Sequence, residues 1–156
     1  MDRTQVLRLI LEALQQQMEL TREASLDAAD YATNEQARAE SKWDTQGLEA
    51  SYLAAGQAAQ VREMAESIST FRDLQEQGSD ATGGIVFGSL VELDLNGSRS
   101  WYFLAKASGG LTVEVDESRV TVITTQSPLG RNLPGKHEGD LVSLPNGAQA
   151  RISSVR

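Results

Sequence analysis

The sequence predicts an α+β protein: an N-terminal antiparallel two-helix coiled-coil hairpin followed by an antiparallel β domain. Three observations lead there. From Gln5 to about Lys42 the chain has neither Pro nor Gly and spaces its apolar residues three and four apart, the period of one helix face. A second helical run extends from about Leu48 to Gln77. Beyond Gly78 the apolar period becomes two, the alternation of half-buried strands.

In the first helix Leu7, Ile10, Leu11, Leu14 and Met18 form a stripe, which Ala24, Ala28, Ala32 and Ala39 continue with smaller side chains. Trp43-Asp44-Thr45-Gln46-Gly47 interrupts it, with Asp44 or Thr45 as candidate caps of the next helix. The second stripe is Ala54, Ala58, Val61, Met64, Ile68 and Phe71, and Gly78 is placed to end that helix. Helices joined by so short a turn are antiparallel neighbours. A turn centred near Thr45 would set Leu26 beside Met64, Ala32 beside Ala58, and Met18 beside Phe71 or Arg72. Segments 24–39 and 50–65 hold six alanines each, so the distal half should be thin. At 1.5 Å per residue a first helix of about 37 residues would run about 55 Å. A dimerising coiled coil has the same periodicity, but its seam usually stays large and apolar throughout. Here the seam thins toward an acidic turn.

Residues 79–84 are small and polar and read as a linker. Strands are expected at Ile85–Leu95, Ser100–Ala105, Leu111–Val115, Val120–Thr124, Asp140–Leu144 and Gln149–Val155. Asn96-Gly97 and Pro145-Asn146-Gly147 are hairpin turn signals, and Ser127-Pro128 can open a short helical turn ending near Asn132. The expected organisation is therefore a hairpin at 1–78 with its tip near 43–48, a linker at 79–84, and a β domain at 85–156.

Composition narrows the function. There is no cysteine, which excludes disulfides and thiolate metal sites and suits a reducing cytoplasm. The chain starts Met1-Asp2-Arg3 without a cationic leader, and no stretch approaches membrane-spanning length. A cytoplasmic protein with no membrane partner is expected. The net charge of −8 divides into −7 over residues 1–78 and −1 over 79–156. Phosphate binding needs a basic footprint, and neither half has one, so direct DNA or RNA binding is not the expected activity.

A search for catalytic groups finds little. His137 is the one histidine, and a lone loop histidine among charged residues is usually just solvated. No Gly-x-Ser-x-Gly elbow is present to start a triad. Gly83-Gly84 and Gly109-Gly110 lack the Lys-Ser/Thr of a phosphate loop and read as turns. The acidic residues around the hairpin turn remain: Glu40, Asp44 and Glu49. Carboxylates at a tip can share a Mg²⁺ whose other ligands are water or phosphate, and such an ion stabilises charge in phosphodiester cleavage. Spacing alone favours the simpler reading, in which Asp44 caps the second helix while Glu49 complements its dipole.

Two C-terminal segments, Gly84-Ile85-Val86-Phe87-Gly88-Ser89-Leu90-Val91-Glu92-Leu93 and Ser127-Pro128-Leu129-Gly130-Arg131-Asn132-Leu133-Pro134-Gly135-Lys136-His137-Glu138-Gly139-Asp140, resemble the C-terminal domain of the Gre transcript-cleavage factors. That family has G-x-V-x-F-G-x-x-V followed by S-P-[IL]-G-R-x-L-x-G-K-x-x-G-D. Glu49-Ala50-Ser51-Tyr52-Leu53-Ala54-Ala55 is similar to the family's N-A-E-Y-x-A-A. The resemblance implies an FKBP-like β domain and a hairpin that enters the secondary channel of bacterial RNA polymerase. It further implies that the domain docks at the channel rim, with Pro128, Leu129 and Arg131 as candidate contacts. Trp43, at the tip, is another. In the family, D-L-x-E-N-A-E-Y at the tip lets an Asp and a Glu help hold the second catalytic Mg²⁺ of the polymerase.

This tip departs from the pattern. Counted back from Tyr52, the family Glu position holds Leu48 and the Asp position holds Thr45. Asp44 fits only with one residue inserted, and Glu49 lies one residue late, about 100° round a helix. The expected function is a monomeric polymerase-binding regulator of elongation with no catalytic activity or intrinsic cofactor of its own, meeting RNA only indirectly. Asp44 and Glu49 are its candidate ligands for a shared Mg²⁺. Channel obstruction without cleavage is the alternative. A prolyl isomerase would need an aromatic pocket, and Trp101, Tyr102 and Phe103 are consecutive, which sends them to opposite sheet faces. A structural coiled-coil adaptor is the third reading.

Overall fold

A computed structural model describes residues 1–38, 45–78 and 84–156, the side chains of 32, 35–38 and 45–51 apart. Asp2 starts the first helix: its Oδ1 accepts from the Thr4 amide at 3.1 Å, and its carbonyl accepts from the Val6 amide, the usual N-cap arrangement. Helix α1 runs Arg3–Arg38 and α2 runs Thr45–Gln77. The expected end of α1 near Lys42 lies outside the described residues. Gly78, with φ of 69°, follows α2 as anticipated. The tip expected near 43–48 needs correcting, because Thr45 to Leu48 already belong to α2.

The chain divides into two compact units, Met1–Glu12 with Ser69–Arg156, and Ala13–Ile68. This division falls inside the helices. Most of the expected 79–84 linker lies outside the described residues.

Unit Ala13–Ile68 is an antiparallel helix pair. Ser25 Oγ donates to the Ala54 carbonyl at 3.3 Å, so Leu26 is level with Leu53 and not with Met64. The expected register is off by about three helical turns. Leu26 and Leu53 are 57% and 58% exposed.

The other unit holds six strands: β1 Leu90–Leu95, β2 Ser98–Ala105, β3 Thr112–Val115, β4 Ser118–Thr124, β5 Leu141–Ser143 and β6 Gln149–Val155. They form one sheet in the order β3-β4-β2-β1-β6-β5. The fold is the α+β arrangement expected, with one exception to antiparallel pairing. Strands β2 and β4 are parallel, with Trp101 opposite Val120 and Phe103 opposite Val122. The period-two pattern is the same in both kinds of pairing, so the sequence did not distinguish them.

Alternation along the strands fills both faces. One face carries Val91, Leu93, Leu104, Ile123, Val142, Ala150 and Ile152, clustered with Ile85, Leu129 and Leu133 from loops. On the other face Phe103 meets Phe71 of α2, ring centroids 6.0 Å apart. Phe71 therefore packs on β2, not against Met18 as expected. Val6, Leu7 and Ile10 of α1 are fully buried. Arg3 joins the helix ends to the sheet: its Nε donates to the Gly88 carbonyl at 2.7 Å and its Nη2 to the Leu74 carbonyl at 2.9 Å. Leu74 O is one of the last four carbonyls of α2, which have no partner within the helix.

Candidate functional site

The segment expected to begin the first strand at Ile85 is instead a tight loop. Gly88 has φ of 91°, which interrupts an extended strand and suits glycine. The Ser89 amide donates to the Val86 carbonyl, and the Val86 amide donates to Ser89 Oγ at 3.1 Å. Val86 and Phe87 are left exposed at the turn, with Lys106 Nζ 5.4 Å from the Phe87 ring centroid.

The second motif begins with Ser127. Its hydroxyl donates to the Thr124 carbonyl at 2.9 Å and accepts from the Gly130 amide at 3.0 Å. A short 3₁₀ turn follows at Gly130–Asn132, where a helical turn was expected. Any side chain at residue 130 would put its Cβ 2.1 Å from the Thr124 carbonyl oxygen, so only glycine fits. Further on, the His137 amide donates to Asp140 Oδ2 at 2.8 Å, and Glu138 Oε1 accepts from the Val155 amide at 2.8 Å.

The two motif segments meet. The Ile85 amide donates to the Lys136 carbonyl and the Gly135 amide to the Ile85 carbonyl, both at 2.8 Å. The two segments, bonded at residues 50 apart in sequence, thus form one surface. Pro128 and Arg131 are exposed on it, and Arg131 Nη2 donates to the Gln126 carbonyl at 3.1 Å. Leu129 sits differently. It is 7% exposed within the core cluster, so its side chain is used in packing and offers little to a partner.

Trp43 and Asp44 lie outside the described residues. Glu49 belongs to α2, its side chain outside those described. Among the described residues no three His, Asp or Glu side chains converge as a metal site would require. His137 is 60% exposed, its Nδ1 3.9 Å from Asp140 Oδ2. The four aromatics of the β domain do not gather: Phe87 is on a loop, Tyr102 packs on the clustered face, and Phe103 is buried against Phe71. Sequence reasoning missed Arg3, although Arg3 falls on the spacing of Leu7, Ile10 and Leu14, where a charged residue is anomalous. No helix among the described residues is long and apolar enough to cross a membrane.

No family model matches the chain, and no curated protein does. Among solved structures, the GreA factor homolog 1 (Gfh1) protein of Thermus thermophilus is 26% identical over 94% of each chain, with a TM-score of 0.37. Gfh1 of Thermus aquaticus is 24% identical over 93% of this chain and 92% of that one, at 0.38. Another structure of the transcription factor Gfh1 is 24% identical over 94% and 92%, also at 0.38.

Proposed function

We propose that this chain is a Gre-type regulator of transcription elongation, which binds bacterial RNA polymerase and places its helical hairpin in the secondary channel. The observation that carries the reading is the junction of the two motif segments through Ile85, Gly135 and Lys136. The residues that resemble the family are the ones that build a single surface, with Pro128 and Arg131 outward. The β domain is read as FKBP-like and the protein as a cytoplasmic monomer without catalytic chemistry of its own.

The continuity of α2 bears on what the tip does. Helix α2 is uninterrupted from Thr45 through Tyr52, so counting back from Tyr52 allows no extra residue within it. Thr45 and Leu48 then occupy the positions where a cleavage factor has its Asp and Glu. Neither can supply a carboxylate to Mg²⁺, and Glu49 is rotated about 100° from Leu48. This favours a factor that occupies the channel or competes for it over one that stimulates cleavage.

The test is a stalled, backtracked elongation complex given the purified full-length protein. Co-sedimentation with the polymerase is expected, along with little or no Mg²⁺-dependent RNA shortening and slower cleavage by an added cleavage factor. Rapid shortening would restore Asp44 and Glu49 as Mg²⁺ ligands. No binding at all would end the polymerase reading.

A further inference from the structure

A notch of about 510 Å³ opens between the β1–β2 and β3–β4 hairpins, where the parallel strands β2 and β4 begin. Its lining includes Glu92, Arg99, Trp101, Glu117 and Arg119. Glu92 projects from the middle of β1 directly across from Trp101, and its side chain is 10% exposed. An ionised carboxylate has about four acceptor sites, and burying one with few donors is costly. Among the described residues the Glu92 carboxylate is met by an ion pair. Its one charged neighbour is Arg99, with Nη1 3.6 Å from Oε1 and a side chain 66% exposed. A mostly buried carboxylate, held by one long ion pair, therefore lines the notch.

The surroundings specify the sign of what would fill it. An adjoining hollow of about 280 Å³ shares Glu117, Ser118 and Arg119 with the notch and adds Glu114 and Asp116. Four carboxylates thus stand against the guanidiniums of Arg99, Arg119 and, at the Trp101 ring, Arg156, and Arg119 is itself drawn to Glu114 at 3.5 Å. The local field favours a cation. The aromatic wall agrees: the Arg156 guanidinium already lies 6.0 Å from the Trp101 ring centroid, so this indole accommodates a flat cation.

We propose that the notch receives one arginine side chain from a protein partner, with Glu92 as its counter-ion and Trp101 as its wall. Arginine suits the site better than lysine because its guanidinium is planar, weakly hydrated and able to stack on an indole while donating two parallel bonds to a carboxylate. The incoming group would displace the exposed and loosely held Arg99. The inference does not depend on the partner being a polymerase.

The full-length protein, labelled with ¹⁵N, is titrated with acetyl-Gly-Arg-Gly-amide while the Trp101 indole N–H and the Glu92 amide are followed by NMR. Saturable shifts at both are expected. The citrulline peptide, an uncharged isostere, should bind about tenfold more weakly, the loss of roughly one charge-assisted hydrogen bond, and Glu92→Gln should weaken the arginine peptide to a similar degree. Removing the internal competitor with Arg99→Ala should tighten binding, which keeps the proposal open to failure if Glu92→Gln does not fold. Equal binding of the citrulline peptide would overturn it. So would loss of binding in Arg99→Ala, or stronger shifts at Trp101 from acetyl-Gly-Glu-Gly-amide or inorganic phosphate, which would mark an arginine-lined anion site instead.

Discussion

The two compact units are built on opposite terms. In the unit containing the sheet, Val6, Leu7, Ile10, Phe71, Leu90, Phe103, Leu104 and Leu133 are completely shielded from solvent. Among the described residues of Ala13–Ile68, Leu14 and Ile68 are the buried large apolar side chains. Leu20, Leu26, Tyr31, Tyr52 and Leu53 there are 49–72% exposed. One unit is held by burial at roughly 25 cal/mol per Å², the other mainly by its own helical hydrogen bonds. Most helical stability in proteins comes from tertiary packing, so local opening should cost far less in the helix pair than in the sheet.

The sharpest way to break this contrast is to open the sheet unit. Phe103→Ala removes the ring that meets Phe71 and leaves a void between helix and sheet. It should cost about 3–5 kcal/mol, as for other buried phenylalanines, read from the guanidinium midpoint. A cost below about 1 kcal/mol would mean that this core is far looser than its burial implies.

Arg3→Met should come next. The substitution keeps an unbranched, apolar stem but strands the Gly88 and Leu74 carbonyls, both in a nearly dry site. Burial pushes the Arg3 guanidinium below its usual pKa, so removing its charge relieves some desolvation. The net loss should be about 1–3 kcal/mol, the cost of leaving buried acceptors unpaired. Hydrogen exchange checks the location: protection should fall near Leu74 and Gly88 and stay unchanged across residues 13–68.

How far the sequence revealed these features depends on whether a local pattern carried them. Strand positions were legible because alternation is local, and Asn96-Gly97 marked its hairpin because both residues adopt positive φ. The motif 127–140 was legible because its letters are structurally required: Ser127 ties the turn, and Gly130 leaves no room for a Cβ. The helix register was not. No Pro or Gly marks where α1 stops, and Gly47, taken as part of the turn, lies inside α2, where helical neighbours outweigh its weak propensity. The parallel β2–β4 pair and the role of Glu92 depend on contacts between distant segments, which no window of sequence contains. Near the tip, the spacing back from Tyr52 was visible in the sequence, and α2 runs unbroken from Thr45 through that residue.

The smallest prediction acts on the weaker unit alone. Gly56 lies inside α2 with nothing within 4 Å of where a Cβ would sit, and its φ is not positive. Gly56→Ala therefore meets no steric obstacle and removes conformational freedom from the unfolded chain. It should stabilise the helix by about 0.5–1 kcal/mol. If the helix pair opens separately, that gain should slow amide exchange across residues 13–68 while exchange in β1, β2 and β6 stays as it was. Equal slowing in the strands would show the two units opening together, and the contrast in burial would then have no counterpart in dynamics. With the gain confined to the helix pair, the same variant also probes function. A hairpin that adjusts its contacts inside a partner should bind slightly more tightly once stiffened, because less ordering remains to be done on binding.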